Sequence, residues 1–395
     1  MGRVMVAGGG IAGLAAALAV ARAGHDVTVL ERRSEFTELG AGIQLAPNAF
    51  RALDRLGVEA RVRADAVYVE RLRLMDGVTG ETIAQLPLDA GFRERFGYPY
   101  AVVHRNDLYA PLLDACRRDP RVTLRTDAAV VGYRRHRNRV EVRLATGTTV
   151  QGDALIGADG LHSTVRQQIV GDGAPRISGH TIYRSVIPIE RVPERLRWHS
   201  VTLWAADHRH VVHYPIAGGR VFNLAATVDD QASAVVAGAS ADRAEVLRTF
   251  KDLCEVPRQL LELGTEWRRW VLCDRDPVSH WTDGPVVLLG DAAHPMLQYA
   301  AQGACMALED AVCLGWLLGS DDDFETGFAR FNKERADRAG RLQLISRRMG
   351  EEVYHPTGAA AAARTARFTE LSTEDMFDEL DWLYGDDTRE YGHAD

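Results

Sequence analysis

Gly8, Gly10 and Gly13 in the stretch GGGIAG satisfy the spacing G-x-G-x-x-G. Between a strand and a helix, such glycines let a pyrophosphate approach the backbone. The helix N-terminus then offers free N–H groups and the positive end of its dipole. Glu31 stands eighteen residues past Gly13, where the next apolar run closes, and Arg32 is beside it. A carboxylate there can accept both ribose hydroxyls of an adenosine. The motif does not distinguish NAD from FAD, and a ligand-free tight turn uses the same glycines; the strand–helix context favours the nucleotide.

Three further stretches carry candidate chemistry. DALIGADGLHSTVR, residues 153–166, ends an apolar strand in Asp159-Gly160, with Ser163 placed to cap a helix. GDAAHPMLQYAAQGACMALEDA, residues 290–311, puts Asp291 after an apolar run, polar Gln298 in an apolar setting, and Gly303 and Ala304 at a helix start. Asp291 could accept hydrogen bonds from a polyol, and the helix would aim its N-terminus at whatever lies above it. RHVVHYP, residues 209–215, reads as a strand with Arg209, Val211 and His213 on one face and His210, Val212 and Tyr214 on the other. His294, next to Pro295, suggests a structural or cofactor-side role rather than a catalytic one.

The elements that must position these residues can be read in turn. RVMVA at 3–7, an Ala/Leu-rich helix at 11–23 and DVTVLE at 26–31 form a β-α-β unit, which implies a parallel sheet. Helical patterns follow at 48–58 and 104–118, the latter with Asn106 or Asp107 near its N-cap. Short strands are expected at 121–125, 129–133 and 139–144. After Val170 the pattern alternates at 181–189, 199–205, 209–216 and 221–228, with AGG at 217–219 as a hairpin turn and helical patterns at 241–252 and 256–263. PVVLLG at 285–290 is again a fully apolar strand, so the chain returns to its first domain. From about 325 the pattern is helical and charged, ending in the acidic, aromatic stretch EDMFDELDWLYGDD.

Composition narrows the class. A chain of 395 residues with 46% hydrophobic and 26% charged residues suits an ordinary globular protein. A formal charge of −8 and dispersed arginines argue against nucleic acid or a membrane surface as partner. Cys116, Cys254, Cys273, Cys305 and Cys313 are scattered, which favours reduced thiols in the cytoplasm over disulfides or structural zinc, and no metal is expected. No apolar run of eighteen residues is found, so no membrane span is expected, and no signal peptide is read at the N-terminus.

The three motifs, in this order and spacing, resemble the single-component FAD-dependent aromatic hydroxylases over nearly the whole chain. The resemblance implies an α/β and α+β mixed architecture of the para-hydroxybenzoate hydroxylase type. Its parts are a Rossmann-like FAD-binding domain at 1–174 and 276–325, an inserted β-sheet substrate domain at 175–275, and a helical C-terminal region at 326–395. It implies Gly8, Gly10, Gly13, Glu31 and Arg32 at the ADP part of FAD, Asp159 in a segment linked to FAD and NAD(P)H, and Asp291 at the ribitol. Arg105 in HRNDL would contact the cofactor, and Gly303 and Ala304 would face the flavin pyrimidine ring. Without a second G-x-G-x-x-G, the NADH or NADPH donor has no Rossmann site of its own and visits transiently.

HVVHYP, MLQY, EEVYHPTG and DWLYG resemble more narrowly the 3-hydroxybenzoate 6-hydroxylases within the salicylate hydroxylase-like group. That implies para-hydroxylation of 3-hydroxybenzoate to 2,5-dihydroxybenzoate with dioxygen through a flavin C4a-hydroperoxide. His213 would be the base at the substrate phenol and Gln298 its neighbour. Without the resemblance, His213 reads as a half-buried sheet histidine and Gln298 as a loop residue satisfying backbone. Gln302 before Gly303 departs toward the salicylate 1-hydroxylases. Decarboxylative hydroxylation of salicylate or 6-hydroxynicotinate is therefore the rival, and a non-catalytic flavin-binding ligand sensor the rival of another class. Arg184 could meet a carboxylate. The aromatic tail should pack on the body or on a second subunit, with a homodimer expected.

Overall fold

The computed structural model describes residues 1–38, 40–137, 139–320 and 323–385. Its first layer is a five-stranded parallel sheet in the order Val286–Leu288, Ala154–Gly157, Arg3–Ala7, Asp26–Leu30, Val122–Arg125. Val4 to Ala7 and Ala154 to Gly157 are buried throughout, because both faces of a parallel sheet are covered. Helix Ile11–Arg22 packs against helix Gly303–Ser320. A Cβ on Gly315 would stand 2.7 Å from that of Ala19, so small side chains are what let these two backbones meet. The chain thus returns to the first layer after an excursion, as the apolar run at 285–290 leads one to expect.

Helix Gly303–Ser320 has the length and mean hydropathy to cross a membrane, but Glu309 and Asp310 interrupt it, so it is not the uninterrupted apolar run of eighteen residues that the sequence lacks. Here it is buried among Ile11–Arg22, Pro47–Arg55 and Phe324–Met349. It carries buried Glu309 and Asp310, both paired to Arg335 at 2.8 Å.

The second layer is an eight-stranded sheet ordered Ala237–Ser240, Arg268–Asp274, Arg176–Pro188, Val221–Asp229, Arg209–Ile216, Ser200–Ala206, Arg71–Asp76, Thr82–Pro87. Every pairing is antiparallel except Ser200–Ala206 with Arg71–Asp76. The last two strands come from a part of the sequence whose period is weak, and the sequence reading places them in the first domain. Residues 217–219 make the expected hairpin turn, all three at positive φ.

This sheet separates two cores, and alternation along Arg209–Ile216 divides its side chains between them. Val212, Tyr214 and Ile216 face the large core shared with the first layer. Val211 faces a smaller core with Trp204, Phe222 and Phe250, covered by helices Arg243–Thr249 and Glu255–Leu263.

Helix Arg105–Arg118 starts one residue later than expected, and its cap is neither Asn106 nor Asp107: the His104 ring accepts from Asn106 N–H at 3.2 Å. At the far end, helix Thr373–Tyr384 lies on helix Ala90–Phe96. Phe377 and Tyr384 meet Phe92 and Phe96 edge-on, and Arg95 is gripped by Glu374, Asp378 and Asp381. The aromatic tail up to Gly385 thus packs on its own body; residues 386–395 lie outside the described residues.

Candidate active site

The two layers enclose one cleft, and the G-x-G-x-x-G loop forms its floor at one end. Gly8 sits at φ +104°, and a Cβ there would come within 2.3 Å of the Ala158 carbonyl oxygen. A Cβ on Gly13 would come within 1.9 Å of the Gly8 carbonyl, so helix and loop meet only without a side chain. Gly10 differs: it lines the cleft and nothing stands within 4 Å of its missing Cβ. Helix Ile11–Arg22 has no side-chain cap and no acid in its first turn, so its end presents bare N–H groups. Glu31 accepts from Gly9 N–H at 2.8 Å and Arg33 N–H at 2.9 Å, which holds its carboxylate beside the loop. Arg32 is exposed next to it.

Asp291 and Gly303 lie together at the other end of the cleft, with Ala304. The first turn of Gly303–Ser320 is free of acids. His294 is fully buried and bonded to Asp310 at 2.6 Å, which ties this loop to the helix below. Burial opposes ionisation of Asp310, but His294 and Arg335 overcome it and hold its pKa down at about 2. Gln302 lines the cleft beside Gly303 and is braced from below, its Oε1 accepting from Asn48 at 2.9 Å.

Asp159 does not line the cleft; its neighbours Ala158 and Gly160 do. Ser163 is the N-cap of helix Thr164–Ile169 as expected, accepting from Arg166 N–H at 2.8 Å, and the Asp159 carboxylate completes the cap by accepting from Ser163 Oγ–H and from the N–H groups of Thr164 and Val165. The cap carries Arg166, which is fully buried and donates to the Ala292 and Ala293 carbonyls at 3.1 and 2.5 Å. The Asp-Gly segment therefore fixes the Gly-Asp loop, and Asp159 acts by positioning it. Arg105 lines the cleft with its Nε 3.0 Å from Glu38. Burial raises the Glu38 pKa, against the pull of Arg105.

The expected base, His213, is on the wrong side of the sheet. It is fully buried in the smaller core, accepts from Trp204 Nε1–H at 3.0 Å, and stacks on Phe222 and Trp204. Burial, with Arg73 nearby, drives its pKa to about 3. The period-two register that separates 209, 211 and 213 from 210, 212 and 214 decides the matter, because only the second set meets the cleft.

The imidazole that does reach the cleft is His210. Its Nδ1 is hydrogen-bonded to His355 Nε2 at 2.7 Å, leaving Nε2 for the cleft. Tyr354 lies edge-on to the ring at 4.7 Å. Burial, then His355 and His180, push the His210 pKa well below 6.5, so the ring is neutral and keeps a lone pair free to accept a hydrogen bond. Tyr214 is on the same face, its phenol pushed up to about 12 by burial. Gln298 lines the cleft as expected, accepting from Arg184 Nη2 at 2.7 Å and lying 3.5 Å from Thr227 Oγ1. His210 and Tyr214 were legible in RHVVHYP as candidates, yet each face offers one histidine and only packing chooses. His355 and Tyr354 lie in EEVYHPTG, a stretch that carries the resemblance but gives neither residue a role.

A bare nucleotide cradle joined to a sheet face that carries an imidazole and a phenol defines an oxidoreductase built around a dinucleotide cofactor. A family model described as an FAD binding domain matches residues 1–342. 3-Hydroxybenzoate 6-hydroxylase 1 of Aquipseudomonas alcaligenes is 49% identical over 387 residues, covering 98% of each chain. The 3-hydroxybenzoate 6-hydroxylase of Polaromonas naphthalenivorans (strain CJ2) is 42% identical, covering 97% of this chain and 95% of that one. Klebsiella pneumoniae HpxO, solved with FAD and uric acid, superposes with a TM-score of 0.87 at 26% identity, over 97% of this chain and 96% of that one. The chain belongs to the FAD-dependent aromatic hydroxylases: it is a flavoprotein monooxygenase with FAD as cofactor and a nicotinamide nucleotide as co-substrate.

Proposed function

We propose that this enzyme hydroxylates 3-hydroxybenzoate para to its hydroxyl, giving 2,5-dihydroxybenzoate, with NADH or NADPH as reductant and dioxygen as oxidant. The observation that carries the reading is His210, a neutral cleft-facing imidazole beside Tyr214, in the same cleft as the acid-free first turn of Gly303–Ser320. The activity named for the relatives at 49% and 42% identity supports the choice of acid.

The residues present fit FAD. Gly8, Gly10 and Gly13 would hold its pyrophosphate, Glu31 and Arg32 its adenosine end, and Asp291 its ribitol. Arg105, Gly303 and Ala304 would lie along the flavin, with Asp159 holding the loop in place. Bound and reduced, FAD activates dioxygen and supplies an electrophilic oxygen. Helix N–H groups at Gly303 stabilise negative charge at that end of the cleft. His210 Nε2 accepts the substrate's phenol proton, which raises the electron density of the para carbon. His355 fixes the ring so that Nε2 faces the substrate. Tyr214 offers its hydroxyl to the same oxygen, and apolar Val212, Met296 and Leu297 keep water from the reacting carbon.

The test is product and hydrogen peroxide per NADH consumed, across monohydroxybenzoates and hydroxynicotinates. 2,5-Dihydroxybenzoate from 3-hydroxybenzoate without carbon dioxide supports the reading. Carbon dioxide release from salicylate or 6-hydroxynicotinate as the better substrate overturns it.

We also propose the division of labour among segments: 1–174 and 276–325 hold FAD, and 175–275, joined by the strands of 71–87, roofs the substrate. The helices of 326–395 brace both. A cytoplasmic setting is supported by free thiols at Cys116, Cys254, Cys273 and Cys305. The homodimer is proposed with a face other than the aromatic side of Thr373–Tyr384, which its own body covers.

A further inference from the structure

Two cations line the cleft, and they differ in company. Arg105 has Glu38 at 3.0 Å. Arg184, half-buried on strand Arg176–Pro188, has one hydrogen-bond partner among the described residues, the neutral Gln298 oxygen at 2.7 Å, and no carboxylate. A half-buried guanidinium with one neutral hydrogen-bond partner, its face toward the Trp270 ring at 5.9 Å, keeps several N–H donors in search of an anion. Burial lowers its pKa, as that isolation requires.

The sheet places Arg184 at a usable distance from His210. Arg184 pairs with Ala225, and Ala225 with Val212, so the three form one row across three strands. Strands lie about 4.8 Å apart, which puts the Arg184 and Val212 backbones roughly 10 Å from each other. His210 is two residues along the strand from Val212, on the same face. Between them the floor is the methyl group of Ala225, low enough for an aromatic ring to lie on it.

We infer that Arg184, steadied by Gln298, is the anchor for the substrate carboxylate and so sets which ring carbon is hydroxylated. The inference rests on the proposed reading of the site as one for a hydroxybenzoate. In 3-hydroxybenzoate the attacked carbon is para to the hydroxyl and ortho to the carboxylate. A ring held only at its phenol oxygen pivots and offers several carbons. A ring held at His210 by the phenol and at Arg184 by the carboxylate offers one. Guanidinium and carboxylate meet through paired N–H···O bonds, which fix orientation as well as charge.

The experiment compares an acid with its neutral isostere. Dissociation constants of 3-hydroxybenzoate, benzoate and 3-hydroxybenzamide are read from the flavin absorbance shift of the holoenzyme. The wild type, Arg184→Gln, Arg184→Lys and Gln298→Glu are compared, with FAD content and product ratios recorded. Arg184→Gln should weaken both acids about 10–100-fold, the range of a charged hydrogen bond, and the amide less than about 3-fold. It should also add isomeric products. Arg184→Lys should recover part of the acid affinity. Gln298→Glu keeps the arginine but gives it an internal carboxylate, and should lose acid affinity as Arg184→Gln does. Acid-over-amide preference left intact in Arg184→Gln, or in Gln298→Glu if the former fails to fold, overturns the inference. Benzoate binding separates the two readings: if the wild type does not turn over 3-hydroxybenzoate, only the substrate assignment fails, and selectivity for carboxylates through Arg184 stands or falls on these constants.

Discussion

His210 and His213 are the same residue type three positions apart, yet they ask for opposite outcomes from the same substitution. His210→Ala removes the proposed base, which lines the cleft. It should keep FAD and NADH-driven reduction, lose product about 10²–10⁴-fold, and divert reducing equivalents to hydrogen peroxide. His213→Ala leaves the Trp204 N–H buried without its acceptor and should cost about 1–3 kcal/mol of stability while coupling stays high. Product per NADH and a urea midpoint on both variants check this; uncoupling in His213→Ala with none in His210→Ala would sink the assignment. Because burial keeps His210 neutral well below pH 6.5, product formation should show no acid-side fall near pH 6.5. A pH profile of kcat/KM with an inflection at 6.5 would contradict it. At the cofactor end, Glu31→Ala and Asp291→Ala should each cost about 1–3 kcal/mol of FAD affinity where the lost bonds leave buried partners. Glu31→Ala also frees Gly9 N–H, so it should purify the paler of the two; full FAD retention in both would refute the placement.

Elements, rather than residues, hold the motifs in register. The Asp159 cap sets helix Thr164–Ile169, and Arg166 on that helix clamps the carbonyls of Ala292 and Ala293. Asp172 and Arg275 complete the brace, with Arg275 2.9 Å from Asp172. Arg166→Leu would leave Asp172 one cation and the two carbonyls no donor. It should loosen the Asp291 loop and weaken FAD binding about 10-fold or more, with the Glu31 end intact. A fluorescence titration of the apoprotein with FAD measures this; unchanged affinity would mean the loop holds its shape alone.

At the scale of the whole molecule, acid should be felt early. His213 and His355 are held near 3, and His210 lies well below 6.5, in each case first by burial. Above pH 6.5 folded and unfolded chains bind the same protons at these rings. As pH falls from 6.5 toward 3, the unfolded chain takes up protons that the folded one refuses, so stability declines across that window. Glu309 and Asp310, held at about 2, add their loss only below the ordinary carboxylate range. Urea midpoints at pH 7, 6, 5 and 4 should fall steadily, and a midpoint unchanged from 7 to 4.5 would contradict it. The proposed homodimer should appear in light scattering and persist in Phe377→Ala, whose aromatic partners are internal. A monomer in the wild type rejects the dimer, and a dimer lost in the variant moves its face to this helix.

The nucleotide cradle was legible from residue order alone, because Gly8, Gly10, Gly13 and Glu31 are close in the chain and their geometry follows from one strand–helix–strand unit. The sequence by itself determined the parallel first layer, because a β-α-β unit leaves no other pairing, and the return at 285–290, because a strand buried on both faces is apolar throughout. It determined that RHVVHYP is a two-faced strand. It could not choose the face, since alternation fixes which side chains go together and not which set meets the cofactor. That choice belongs to the layers on either side, and it moved the proposed base from His213 to His210. The strands of 71–87, the partnership of His355 with His210, and the pairing of Arg184 with Gln298 across more than a hundred residues were decided only by the tertiary structure. Each depends on segments distant in sequence being brought to one surface, and no local pattern records that.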